Sequence, residues 1–143
     1  MRLRQSANAS LGSVRKMKIV TPKNVTIKAG SATAGLYWSS GFAGQVNARY
    51  TLVQKYVDSE VLRLSEPYTP LLTGNLRNSG TFGTKIGSGL VRWTAIYAKK
   101  QYYSTRPPGR PTGPLRGPQW FERMKADKGK QIISGARKLS GGG

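Results

Sequence analysis

Cysteine and histidine are both missing from this chain of 143 residues. Their absence removes disulfides, the thiolate nucleophile, the commonest metal ligands and the usual general base. It also fits a reducing compartment. Acids are nearly as scarce. Asp58, Glu60, Glu66, Glu122 and Asp127 are the only carboxylate side chains, against 24 lysines and arginines. Asp58 and Glu60 lie two apart on an expected helix and point in different directions, so they cannot share one proton or metal. Glu122 and Asp127 stand among Lys and Arg, which predicts simple ion pairs. No P-loop, no dinucleotide fingerprint and no nucleophile elbow is present. The chain therefore reads as a non-enzyme that needs no cofactor and no metal. No apolar run approaches the roughly 20 residues of a membrane span, and the N-terminus has no apolar signal segment. A soluble protein, made in the cytoplasm and kept there or in an assembly built there, is expected.

What is abundant is positive charge, a formal net of +19. Such a chain meets a polyanion or an acidic protein neighbour. The charge is uneven. Residues 1–16 hold Arg2, Arg4, Arg15 and Lys16 and no acid, and from residue 71 onward 14 basic residues face only Glu122 and Asp127. With 18 glycines and 8 prolines, a modest core with long loops is expected.

The periodicities predict one α+β domain over 17–143, preceded by a flexible basic arm, 1–16. "KNVTIKAG" alternates like a short strand. In 29–45, Tyr37, Trp38 and Phe42 are expected to pack on the core or on a neighbouring subunit. Val46, Tyr50, Val53, Val57, Val61 and Leu64 form one stripe of a helix over 45–65, which Pro67 ends. Residues 81–97 read as two strands about a turn at Gly87-Ser88-Gly89. "YAKKQYY" reads as a short helix or turn. Its Tyr97, Tyr102 and Tyr103 beside Lys99 and Lys100 offer either a packing surface or a platform for single-stranded bases. Residues 104–119, with five prolines, three glycines, Arg106, Arg110 and Arg116, exclude a regular element. A last helix opens near Pro118 and presents Phe121, Met124, Ile132, Ala136 and Leu139 on one face.

One stretch, "EPYTPLLTGNLRNSG" at 66–80, is too particular for a linker. Together with Tyr97-Ala98 and with Trp120 to Lys125 ("WFERMK"), it resembles the minor capsid proteins of long-tailed bacteriophages. These are the neck or tail-completion proteins between portal and tail. The resemblance covers about residues 46–143. It implies a long helix packed on a small antiparallel sheet, with a second helix at the C-terminus. It also implies a homo-oligomeric ring that contacts neighbouring connector and tail proteins and lets genomic double-stranded DNA pass. On that reading Thr73-Gly74 turns into a hairpin. Tyr68, Pro70, Leu72, Thr73, Gly74, Leu76, Arg77, Tyr97, Tyr102, Tyr103, Arg106, Arg110, Arg116 and Trp120 serve subunit docking, and Arg2, Arg4, Arg15 and Lys16 face DNA. The 106–119 loop is expected to contact proteins more than DNA. The alternative is a basic, non-enzymatic nucleic-acid-binding protein.

Overall fold

The computed structural model describes residues 18–107 and 113–142. The fold is α+β. A two-stranded antiparallel hairpin, β1 (Val25–Ala29) and β2 (Ala32–Leu36), precedes a long helix α1 (Phe42–Ser65) and a 3-10 turn (Glu66–Tyr68). Three helices follow: α2 (Asn75–Gly83), α3 (Ala98–Tyr102) and α4 (Trp120–Leu139). Among the described residues no helix is long and apolar enough to cross a membrane.

The core lies between helices. α1 packs on α4, antiparallel to it: the Tyr68 hydroxyl reaches Asp127 near the start of α4, and the Tyr56 hydroxyl lies against Gly135 near its end. A side chain at Gly135 would occupy the space of the Tyr56 ring, so glycine permits this approach. Val61, Tyr68, Leu76, Val91, Trp93, Ala98, Tyr102, Trp120, Met124 and Ile132 form the buried cluster. At its centre the Tyr102 and Trp120 rings meet edge to face at 4.7 Å, and Trp93 meets Trp120 at 5.8 Å. Such pairs add about 0.5–1.5 kcal/mol beyond burial. Here the expected helix over 45–65 begins three residues earlier, and its stripe is correctly placed along α1, although Tyr50 at its upper end is exposed.

The sheet differs from expectation in two ways. Its ten residues are all exposed, so α1 packs on α4 and not on a sheet. β2 arises in the Gly-rich stretch 29–45, where no strand is expected. It pairs Val25 with Leu36 and Ala29 with Ala32, across a turn in which Gly30 takes φ +62°. Trp38 and Phe42 pack on each other, ring centroids 5.0 Å apart, away from the buried cluster, and Tyr37 lies exposed across Gly35. The segment that precedes the hairpin is tied to α1 by Asn47, whose amide exchanges two 2.8 Å bonds with the Ile19 backbone, and by Ala43 N–H donating to Thr21 Oγ1.

The hairpin expected about Gly87-Ser88-Gly89 does not form. Residues 75–83 are helix α2, and 84–97 run as irregular backbone. The reason is visible in the hydrogen bonds. The N–H groups of Gly87 and Gly89 donate to the buried Asp58 carboxylate, at 2.7 and 3.1 Å, instead of to a partner strand. Gly80 is covered by the Trp93 ring, which leaves no room there for a Cβ. The irregular run is thus held down by one α1 carboxylate and one indole.

Candidate functional site

The stretch 66–80 wraps the end of the α1/α4 pair. Pro67 starts the 3-10 turn, and the Thr69 N–H closes it on the carbonyls of Ser65 and Glu66. Pro70 to Thr73 then cross the surface. Gly74, at φ +82°, caps α2, so this turn opens a helix and not a hairpin. Gly74 is buried, and a left-handed backbone costs an ordinary residue roughly 1–2 kcal/mol.

The second wall comes from the Pro/Gly-rich loop, and it is stitched to the first. Gly117 N–H donates to Tyr68 O at 3.0 Å, and Gln119 N–H donates to Tyr102 O at 3.0 Å. Gln119 holds φ +48° as the cap of α4, a strained conformation fixed by the bonds around it. Arg116 reaches inward. Its Nη1 donates to Glu66 O and Thr69 O at 2.9 and 2.7 Å, and its Nη2 donates to Glu66 Oε1 at 3.1 Å. Arg123 donates to the carbonyls of Leu115, Pro118 and Tyr68, and its guanidinium lies 5.5 Å from the Tyr68 ring centroid. Two arginines thus satisfy carbonyls that a loop without regular structure would otherwise leave open.

Between these walls lies a groove of about 460 Å³. Pro70, Leu71, Leu72, Thr73 and Leu76 form one side. Tyr97, Gln101, Arg106, Pro107 and Pro118 form the other, with Arg116 at its base. Leu72 is 94% exposed and Tyr97 is 42% exposed, so apolar surface is offered to whatever enters. The lining carries hydroxyls, two amides and two guanidiniums, with no carboxylate. It can bind an apolar side chain flanked by acidic or carbonyl groups; it holds no pair of groups for proton transfer. Among the described residues no cluster of His, Cys, Asp or Glu could hold a metal.

The groove gathers Pro70, Leu72, Thr73, Leu76, Tyr97, Arg106 and Arg116 from the expected docking set. Gly74 stands at its edge. Arg77 turns to the other side, 3.7 Å from Glu66, over a second, more open depression shared with Arg63 and Ile86. Tyr103 is exposed beside Tyr102. Tyr68, Tyr102 and Trp120 are corrections: they are buried in the core, where they have no surface to give a partner, and Leu76 shows the groove only its edge. Arg116 is a correction as well, since its charge is satisfied within the chain. Arg110 and the arm residues Arg2, Arg4, Arg15 and Lys16 lie outside the described residues.

The carboxylates also differ from expectation. Glu122 pairs with Lys125 as expected, but Asp127 accepts the Tyr68 hydroxyl at 2.6 Å. That bond, with burial, pushes the Tyr68 pKa up. Burial does the same to Tyr102, helped by Glu122. The Arg63 guanidinium holds Glu60 below the usual carboxylate range. Asp58, Glu66 and Arg123, which organise the irregular segments, were missed. One signal existed for Asp58: it falls in helical register with Val61 and Ser65, on the face that faces inward.

No family model, curated protein or solved structure matches the chain.

Proposed function

We propose that this chain is a structural subunit of the bacteriophage head–tail connector, forming a ring that joins or completes the tail at the portal side. Genomic DNA passes through that ring, and the protein resides in the virion neck after assembly in the host cytoplasm. Its role is to shape an assembly rather than to catalyse a reaction. The observation that carries this reading is the groove and its frame. Of the motifs that resemble the neck family, residues within 70–76 and Tyr97 line one exposed apolar groove together with the Pro/Gly-rich loop, and Arg123 of 120–125 ties that loop down without lining the groove. A linker needs no such frame, whereas a subunit that must present a fixed shape to its neighbour does. Rigid walls reduce the entropy lost on docking. Leu72 and Tyr97 are the anchors, and Arg106 stands at the rim where an acidic neighbour would meet it.

The test is native mass spectrometry of the purified chain, beside head–tail joining in extracts of particles that lack it. Wild type should form a closed ring and restore joining. Leu72→Asp with Tyr97→Asp should remain folded, lose the ring and fail to join. A double variant that still forms the ring and joins overturns the groove's role. A wild-type chain that stays monomeric and binds duplex DNA tightly at moderate salt favours the nucleic-acid-binding alternative.

A further inference from the structure

The antiparallel packing of α1 on α4 sorts the charges. Residues 18–54 and 134–142 contain no acid, and they lie at the same end of the pair: the Tyr56 hydroxyl meets Gly135, and the Arg49 guanidinium lies beside Gly141. That end carries Lys18, Lys23, Lys28, Arg49, Arg137 and Lys138. None of the six takes part in an ion pair among the described residues. Every carboxylate side chain of the chain belongs to 58–66 or 122–127, towards the opposite end. Asp58 and Lys55, whose stem lies against Gly87, mark the boundary.

We propose that this acid-free end is a binding surface for the phosphate backbone of duplex DNA, contacted without regard to sequence. The proposal rests on the connector reading for its setting and names the part of the subunit that would face the DNA. Three features favour phosphate over an acidic protein. The charge has one sign, whereas protein interfaces fix their register with both signs. It is spread over the segment 18–28, Arg49 of α1 and the end of α4 and not gathered in a pocket; residues 42–54 of α1, which carry Arg49 alone, give that end a length of about 20 Å, over which duplex DNA presents on the order of ten phosphates. Lys18, Lys23, Lys28 and Lys138 are exposed and make no side-chain hydrogen bond among the described residues, so each can follow a phosphate. Arg137 and Lys138 also suit the negative end of α4, which accounts for those two alone.

The experiment measures binding of the full chain to a 30-base-pair duplex as a function of salt. One variant changes Lys18, Lys23, Lys28 and Lys138 to Gln. A charge-matched control changes Lys85, Lys99, Lys100 and Lys130, which are also exposed but lie outside the acid-free end. Circular dichroism checks that both are folded. The slope of log K against log salt should shrink by about 3.6 in the first variant, at roughly 0.9 per phosphate contact. In the control it should shrink by less than about 1. Equal losses in both variants, or no loss in the first, overturn the proposal. Polyaspartate that binds wild type as tightly as the duplex does, and loses the same affinity in the first variant, assigns the end to an acidic protein and also overturns it. Native mass spectrometry of the same samples separates the two readings. A lost ring with wild-type DNA binding counts against the connector and leaves this surface standing.

Discussion

The two ends of the α1/α4 pair are built on different principles. At the end that holds the carboxylates, arginines are used inwardly. Arg116 and Arg123 are spent on carbonyls and on Glu66, and Asp58 gathers two backbone N–H groups. At the other end the cations face solvent beside a hairpin with all ten strand residues exposed, and the segment that leads into it is bonded to α1 through Asn47. Some arginines are therefore structural at the first end, beside exposed cations such as Arg106, whereas no cation at the other end takes part in an ion pair among the described residues. What decides is whether an acceptor lies within reach in a place that water cannot fill.

The sharpest way to break this contrast is with apolar residues. Trp120→Ala should cost about 3–5 kcal/mol, because it empties the centre of the core. Ile27→Ala in the exposed hairpin should cost under about 0.5 kcal/mol. Urea unfolding midpoints of the two variants decide it, and similar losses would mean that the hairpin is part of the cooperative core.

Two arginines of the groove provide the next comparison. Arg116→Ala should destabilise by about 2–4 kcal/mol, since it strands the Thr69 carbonyl and takes a charged donor from the Glu66 carbonyl and carboxylate. Arg106→Ala should stay within about 0.5 kcal/mol of wild type while weakening ring formation. Thermal melts and native mass spectrometry read these separately. The prediction fails if Arg116→Ala melts like wild type.

Both ends use a left-handed glycine as a helix cap, Gly74 at φ +82° before α2 and Gly41 at φ +78° before α1. Gly74→Val should cost about 2 kcal/mol or more and impair joining, because a β-branched residue opposes this backbone and the site is buried. Gly41→Ala, with open space around it, should cost only about 1 kcal/mol, and the surface change Lys130→Ala almost nothing. Denaturation midpoints should rank the three in that order.

The smallest effect is a pH dependence confined to the buried end. The hydroxyls of Tyr68 and Tyr102 hold their protons more tightly in the folded chain than in the unfolded one. Their contribution is fully present below the unfolded tyrosine pKa near 10, and it is lost as pH rises through the folded values. Stability measured from pH 9 to 11.5 should therefore fall, and Tyr68→Phe with Tyr102→Phe should flatten that fall. An unchanged slope in the double variant would place the alkaline sensitivity elsewhere.

Much of this was legible in the sequence, and the reasons are physical. The α1 stripe, α4 and the short α3 follow from apolar spacing and from Pro67 and Pro118, which act locally. The scarcity of acids is a matter of composition alone. The left-handed turn at Gly74 was readable from Thr73-Gly74 between two apolar runs, although not the helix that it opens. Other features could not be read. Residues 81–97 have strand-like composition, but Asp58, some thirty residues away, takes the N–H groups that a ladder needs. Trp120 and Tyr102 look like surface aromatics of a recognition motif until α4 closes on α1 and buries them. The sequence by itself determined the charge, the long helices and the positions where the chain must turn, because those depend on residue type and near neighbours. Only the tertiary structure decided which arginines are locked inside, that the groove forms from 70–76, 97–107 and 116–118, and that every acid-free segment of 18–54 and 134–142 comes to one end. Those outcomes depend on which distant backbone groups an antiparallel helix pair brings within hydrogen-bonding distance.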